Sequence, residues 1–443
     1  ASSAVPVLRT PVAIASNRRA AMTRAQSRRV QKSAMLSIFL ATNAVALPSS
    51  AALLKVLASG ALLSRPPRGV VSLSGPDARR LLHQQSSNAI EGTAANTVLD
   101  TAVLNGQGRI RDLVTAAVLP DELLVVTGVA ADLAKVFDLY IFPADDVAAA
   151  DASADWSVLA LAGAGAGAAM EGAALGSPPA AGQLAELPGG AGYALDGCGL
   201  DAPGCTLLVR SGADADRVCG ALEAQPGVVG ASAADDALLS VLHGRPTLGA
   251  ELSADFNPLE AALWRAVSFT KGCYIGQETI ARLQQDPEVR VKQQLFGLKL
   301  GGPVETGTKL YAEGGGGGGD AEEEAASGRQ RLAGVVTSVA ETAEGDVVAL
   351  GYVRTRVGAA GAKLATADGV AVEVVDVPLA TRSEEECADA RRAAAAAEEP
   401  AAELEPPTAK QLKMAGNLAK MMGEEVPDFA SAEACQAWIA SKL

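Results

Sequence analysis

The sequence predicts an α+β chain built from several domains. Three observations carry that expectation. At 443 residues the chain is long enough for two or three domains. From residue 69 onward, Val- and Leu-rich runs and helical patterns follow in the order strand, helix, strand, strand, strand, helix. From residue 291 to 377 four strand-like runs follow one another with only turn residues between them, as in a small antiparallel barrel.

Residues 1–76 hold ten Lys or Arg and no Asp or Glu, and they are rich in Ala, Ser and Val. That composition predicts a targeting peptide over 1–64, with residues up to about 60 outside the folded body. Plastid and mitochondrial addresses share this chemistry. Arg28-Arg29 ahead of the apolar run 34–47 has the look of a twin-Arg lumen signal. The run is too short to span a membrane. The final Ser441-Lys442-Leu443 spells a peroxisome address, but a helix pattern accounts for these residues otherwise and the amino-terminal signal points elsewhere.

Within the body, Val70 to Ser74 reads as a strand. Gly75-Pro76-Asp77 opens a helix carrying Leu81, Leu82 and Gln85. Runs 98–104 and 110–119 flank Asn105-Gly106-Gln107-Gly108, a hairpin signal. A strand over 123–127 and a helix over 130–140 follow. Further on, 156–161 and 205–210 are strand-like, and 213–222 and 234–242 are helical. The Ala/Gly-rich 163–192 distinguishes neither state, and its glycines lack the spacing of a dinucleotide fingerprint. The four later strands are 291–300, 335–340, 347–353 and 370–377. The expected domains are 65–288, an α+β region, and 289–382, a β-barrel with a disordered insertion at 313–330. A linker at 383–407 leads to a helix pair at 408–443, with stripes through Leu412 and Leu418 and through Trp438 and Ile439.

Charge and composition narrow the function. The net charge is −14, and beyond residue 76 there are 27 basic against 51 acidic residues. With aromatics at 3%, neither a phosphate-binding face nor a base-stacking platform is expected, so nucleic acid is excluded as a partner. Two histidines make a His-rich metal site impossible, and the expected metal set is none. None of the six cysteines forms C-x-x-C, which fits a reducing compartment. A soluble monomer without a membrane anchor is expected.

The chemistry gathers at Lys271-Gly272-Cys273-Tyr274-Ile275-Gly276-Gln277-Glu278. Cys273 lies in a loop just before a helix whose Ile280 and Leu283 share a face, and amide N–H groups there favour a thiolate. The bland alternative is a small buried apolar residue on a tight turn. Lys271 is either a thiolate or anion partner or a surface lysine. Gln277 and Glu278 either orient the thiol or form a solvated helix start. Trp264 and Tyr274 either wall a planar ligand or pack in a core.

K-G-C-Y-x-G-Q-E resembles the signature of the YgfZ-like folate-binding family, relatives of the glycine-cleavage T-protein, at all seven specified positions. The approach from Glu251 to Ala261, then Trp264, resembles plastid-type members. The resemblance covers about residues 69–382 and is concentrated at 245–285. It implies two α+β subdomains and a small barrel around a central folate channel, with the tail helix pair appended. It implies tetrahydrofolate as cofactor, a motif cysteine that matters, and a role in iron–sulfur protein assembly or repair, with iron–sulfur proteins or their machinery as partners. It favours the chloroplast stroma, with lumen or mitochondrial matrix as alternatives. By the same resemblance, Asp112 stands where T-proteins carry the acid of one-carbon transfer, and Asn105 and Arg109 stand at the folate channel. Arg109 replaces a frequent Gly and Leu113 a frequent second Asp. Asp112 is therefore either that acid or a hairpin carboxylate paired with Arg109 or Arg111. A folate-dependent aminomethyl transferase and a non-catalytic folate scaffold are the competing readings.

Overall fold

The computed structural model describes residues 49–200, 202–285, 291–312 and 331–376. The insertion 313–330, the linker and the tail helix pair lie outside the described residues.

The chain opens with α1 (Ser50–Ser59) and β1 (Ala61–Ser64), then β2 (Gly69–Ser74), α2 (Ala78–Gln85), β3 (Thr97–Leu104), β4 (Ile110–Val118), β5 (Glu122–Thr127), α3 (Ala130–Asp138) and β6 (Ala148–Asp151). Strands β2 to β6 make a five-stranded antiparallel sheet in the order β3-β4-β5-β2-β6. Helices α2 and α3 cover one face of it. Leu81, Leu82, Leu133 and Phe137 pack there on Val71, Leu73, Val114 and Val125.

The second unit holds β7 (Trp156–Ala162), α4 (Ala166–Gly172), β8 (Leu184–Glu186), β9 (Gly192–Asp196), β10 (Gly204–Arg210), α5 (Ala213–Glu223), β11 (Val228–Gly230) and α6 (Ala233–Leu242). Its sheet runs β11-β1-β7-β10-β9-β8. The Ala/Gly-rich stretch that gave no clear sequence signal contributes α4 and β8, and β9 starts at its last residue. Met170, Val218 and Leu222 cover one face of this sheet. The other face meets the first sheet through Val70, Leu124 and Val126 against Val158, Leu195 and Leu208.

The third unit follows α7 (Gln277–Gln285). It is a closed six-stranded barrel of β12 (Gln293–Leu300), β13 (Lys309–Ala312), β14 (Leu332–Glu341), β15 (Val347–Arg354), β16 (Lys363–Thr366) and β17 (Ala371–Val375), antiparallel throughout. The barrel therefore has two short strands, β13 and β16, beyond the four that hydrophobic runs announce. Seven α-helices occur among the described residues, and none is long and apolar enough to cross a membrane.

The expected boundary at residue 64 is corrected by the structure. Residues 49–64 belong to the body. Ser49 caps α1 by accepting from the Ala52 N–H at 3.2 Å. Leu53 and Leu57 pack with Leu62, Leu238, Leu239 and Leu242. Strand β1 sits inside the second sheet, parallel to β11 and antiparallel to β7. An apolar helix and strand without acidic residues have the composition of a presequence, which is why charge alone put the boundary too late. Truncating Leu57, 7% exposed, to Ala is expected to cost about 2–3 kcal/mol, read as a lower denaturant midpoint. An unchanged midpoint would mean that α1 is not part of the cooperative unit.

Candidate functional site

The β3–β4 hairpin and the cysteine loop interlock. Asn105 Oδ1 accepts from the N–H groups of Gln107 and Arg109, each at 3.0 Å, so its side chain shapes the turn. Gly108 and Gly276 both have positive φ, +71° and +77°. A Cβ on Gly276 would stand 2.5 Å from the Asn105 carbonyl oxygen and 2.6 Å from the Gly108 Cα. A Cβ on Gly108 would stand 2.8 Å from the Gly276 oxygen. Only glycine meets both the conformation and the close approach. Thr279 Oγ1 then donates to the Gln107 carbonyl at 3.0 Å.

Arg109 extends the same seam. Its guanidinium donates to the Asp255 carbonyl at 2.9 Å and pairs with Glu260 at 3.1 Å. Glu260 is 6% exposed and also accepts from the Asn257 N–H at 2.9 Å. Arg109 thus latches the hairpin to the 255–260 segment and is not paired with Asp112.

Asp112 is 2% exposed and accepts three hydrogen bonds. One carboxylate oxygen accepts from the Leu113 N–H at 2.8 Å. The other accepts from the Thr127 hydroxyl at 2.5 Å and the Gly128 N–H at 2.9 Å. Neither Arg109 nor Arg111 is its partner among these bonds. An acid held by three donors at the end of β5 fixes the turn into α3.

Cys273 is exposed, on the loop that leads into α7. The bland reading of a buried thiol is therefore excluded. The other free cysteines among the described residues, Cys198, Cys205 and Cys219, are buried. Burial pushes the Cys205 thiol up to about 12 and the Cys198 and Cys219 thiols upward too. Gln277 Oε1 accepts from the Tyr274 N–H at 2.9 Å and so holds the loop in shape. Glu278 is exposed in the first turn of α7. Tyr274 is half-buried, its phenol pushed up to about 12 by burial. Trp264 is half-buried and tilts against Phe269 with centroids 6.2 Å apart. Lys271 does not face the thiol as a free cation. Its ammonium donates to the carbonyls of His83, Ser86 and Asn88 at 2.5, 2.8 and 2.7 Å.

Sequence reasoning missed a polar patch on the inner face of the first sheet. Asp100 pairs with Thr115, Thr115 with Val126 and Val126 with Val70 across the strands. Residues directly opposite share a face. Val70 and Val126 meet the second sheet, so Asp100 and Thr115 continue that face beyond the apolar seam. Asp100 accepts from the Thr115 hydroxyl at 2.6 Å. Arg68, next to the Gly69–Thr127 pair, is half-buried. Burial first, then the neighbouring Arg245 charge, lowers its pKa to about 10, while Asp100 and Asp112 oppose that shift. Arg245 is half-buried and bonds to the Gly199 carbonyl. Burial lowers its pKa too, with Asp100, Cys198 and Asp112 opposing. Among the described residues no carboxylate makes an ion pair within 4.0 Å of either guanidinium. Two guanidiniums without a tight counter-ion can receive an anionic group. No pair spacing in the sequence announces them, because they are brought together only by sheet packing.

A separate hollow of about 450 Å3 opens beside the sheet–sheet seam, lined by Ser72, Glu122, Asp155, Trp156 and Arg210 among others. The Arg210 guanidinium covers the Trp156 ring at 4.8 Å. The hollow shares no residue with the cysteine loop.

No family model matches the chain. A chloroplastic protein of Arabidopsis thaliana, provisionally named a transferase, is 31% identical over 252 residues, 56% of this chain and 57% of that protein. A protein of Colwellia psychrerythraea named tRNA-modifying protein YgfZ is 47% identical over 49 residues, 11% of this chain and 15% of that one. The chain thus spans little more than half of the first relative and a small part of the second. Among solved structures, glycine cleavage system aminomethyltransferase T from Bartonella henselae superposes with a TM-score of 0.61 at 21% identity, over 75% of this chain and 91% of that one. The chain therefore has the fold of a glycine-cleavage aminomethyltransferase, and in sequence it is similar to a plastid protein and to YgfZ.

Proposed function

We propose that this chain is a folate-binding factor that supports the assembly or repair of iron–sulfur proteins, and that Cys273 is its working thiol. One observation carries the reading. Cys273 stands exposed on a loop locked to the hairpin of an aminomethyltransferase fold, while every other described cysteine is buried. A thiol held in fixed geometry at the surface of such a fold can meet a second protein, and a buried one cannot.

The residues present fit a folate. Asp100, Arg68 and Arg245 form one polar patch and can meet one end of a folate, with the two guanidiniums facing its glutamyl carboxylates. Asp112 already accepts from three donors, which leaves little room for a pterin edge. Asn105 and Arg109 serve the hairpin and its latch, and Lys271 serves a helix end. Trp264, Tyr274, Gln277 and Glu278 flank the cysteine and are proposed to border the ligand channel. When bound, a tetrahydrofolate would supply one-carbon or redox chemistry, which the chain's own residues do not. The plastid is the proposed compartment, supported by the chloroplastic relative and the acid-free amino terminus, with the stroma as the site.

A second reading, folate-dependent aminomethyl transfer with Asp112 as the acid, is favoured by the fold. Leu113 in place of a second acid and the three donors already on Asp112 stand against it.

The test uses Cys273→Ser, which keeps the shape and removes the thiolate. Folding and tetrahydrofolate binding are expected to survive, and iodoacetamide is expected to modify Cys273 ahead of the buried thiols. Rescue of iron–sulfur enzyme activity in cells lacking the protein is expected to fail. Full rescue by the Ser variant would overturn the reading, and aminomethyl transfer lost in Asp112→Asn would establish the second one.

A further inference from the structure

The end of α2 is closed by the cysteine motif. A helix leaves its last carbonyls without intrahelical donors. Here the Leu82 carbonyl accepts from the Ser86 hydroxyl at 2.7 Å, the His83 carbonyl from Lys271, and the Gln84 carbonyl from the Ile275 N–H at 2.9 Å. Lys271 also takes the carbonyls of Ser86 and Asn88, so three acceptors meet its three N–H donors. The Tyr274 ring closes the remaining side, 4.7 Å from the ammonium. The stitching continues upstream, where the Ser268 N–H donates to the Ser87 carbonyl at 2.9 Å and Ser87 Oγ to the Ala266 carbonyl at 2.6 Å.

We propose that Lys271 is a positioning residue: by capping α2 it sets where the Cys273 loop stands, and it does not touch the ligand. The donor set supports this. An ammonium whose three protons point at main-chain carbonyls has none left for a folate carboxylate. It also has no reason to turn toward the thiol two residues away. A cation at a helix carboxyl end is favoured by the helix dipole as well. Glycines 108 and 276 hold the loop on its other side, so the thiol is fixed from two directions.

The charged and titratable groups facing the ammonium are His83, Glu91 and Tyr274. Burial lowers the Lys271 pKa to about 7, with Glu91 opposing. The His83 pKa is lowered by burial and then by Lys271. Its Nδ1 accepts from the Ile90 and Glu91 N–H groups, each at 3.2 Å, which requires that nitrogen to be unprotonated. A deprotonated Lys271 has two N–H donors for three carbonyls. One cap bond is therefore lost as pH rises through neutrality, and the loop loosens.

The inference rests on the reading that Cys273 is the working thiol, and its test separates the two. Full-length wild type, Lys271→Met and Lys271→Gln are compared by amide hydrogen exchange, by iodoacetamide labelling of Cys273 across neutral pH, and by tetrahydrofolate affinity. The variants are expected to exchange about tenfold faster in 83–91 and 271–277, with barrel amides unchanged. Cys273 labelling is expected to change about threefold, and the wild-type pH profile to carry a step near neutrality that the Met variant lacks. Folate affinity is expected to stay within about twofold. Unchanged exchange and labelling, with or without a loss of folate affinity, would overturn the assignment. If the Met variant does not fold, Lys271→Arg gives the same reading, since a planar guanidinium cannot reproduce the three-pronged cap. Rescue by Cys273→Ser would remove the thiol's function but leave the exchange and pH-profile outcomes for Lys271 intact.

Discussion

Gly276→Ala is expected to lower stability by about 3–5 kcal/mol and to part the cysteine loop from the hairpin. Two effects add. Residue 276 has φ +77°, which a side chain tolerates poorly. The new methyl would also meet the Asn105 carbonyl and the Gly108 Cα and N, all main-chain atoms inside 2.8 Å. Backbone cannot swing aside as a flexible side chain can. The hairpin and loop must separate, and the Thr279–Gln107 bond goes with them. Gly108→Ala strikes the same contact from the other side. The double variant should therefore lose less than the sum of the two. Denaturant unfolding of the three variants reads this directly. A Gly276→Ala midpoint equal to wild type would show that the two backbones do not touch in solution.

The second large effect belongs to Glu251. Its side chain has no exposure, yet four donors surround it. Thr247 gives its N–H and hydroxyl to one oxygen, both at 2.9 Å. Thr337 and Ser338 give hydroxyls to the other at 2.5 and 2.7 Å. Two consecutive residues of β14 can reach one carboxylate because the strand's register shifts between Val336 and Ser338. The Tyr352 hydroxyl binds the Glu251 carbonyl at 2.8 Å, and its ring stacks on Phe256 with centroids 3.5 Å apart. Glu251→Ala leaves a void at a fully buried position and takes the shared acceptor from the half-buried Thr247 and Ser338, while Thr337 keeps the Leu350 carbonyl at 3.1 Å. The expected cost is about 3–5 kcal/mol, with the barrel unfolding separately from the α+β body. Glu251→Gln, which keeps one acceptor oxygen, should cost about 1–2 kcal/mol. A single sharp transition at the wild-type midpoint in the Ala variant would show that this carboxylate does not join the barrel to the body.

The core elements of both α+β sheets were legible because their residues follow simple periods. Val70 to Ser74, 98–104, 110–119 and 123–127 appear as strands nearly where the sequence places them. The Asn105–Gly108 turn was legible from composition, and its partner Gly276 from the motif; that the two glycines face each other was not. Strands β8 and β9 were hidden by alanine and glycine, which carry no preference strong enough to show. Strand β1 was hidden by charge, because an apolar segment without acids looks like a presequence. At the site, Cys273 was legible by residue type and by its loop position ahead of α7, and it is exposed there. The partners of Lys271 were not legible, since all three are main-chain carbonyls and leave no mark on residue identity. Arg109 found Glu260 and Asp255 instead of Asp112, an outcome fixed by the 255–260 segment folding back onto the hairpin.

The place of β1 in the second sheet bears on how the chain folds. Its neighbours are β7, which begins about ninety residues later, and β11, more than a hundred and sixty residues later. Closing such loops is slow compared with forming a hairpin such as β3–β4. During synthesis Ala61 to Ser64 stays unpaired until β7 has emerged, and it lacks its second neighbour until the chain reaches Gly230. An apolar strand waiting that long is a target for chaperones and for association with other copies. Of the strands in the second sheet, the one made first is among the last to complete its pairing.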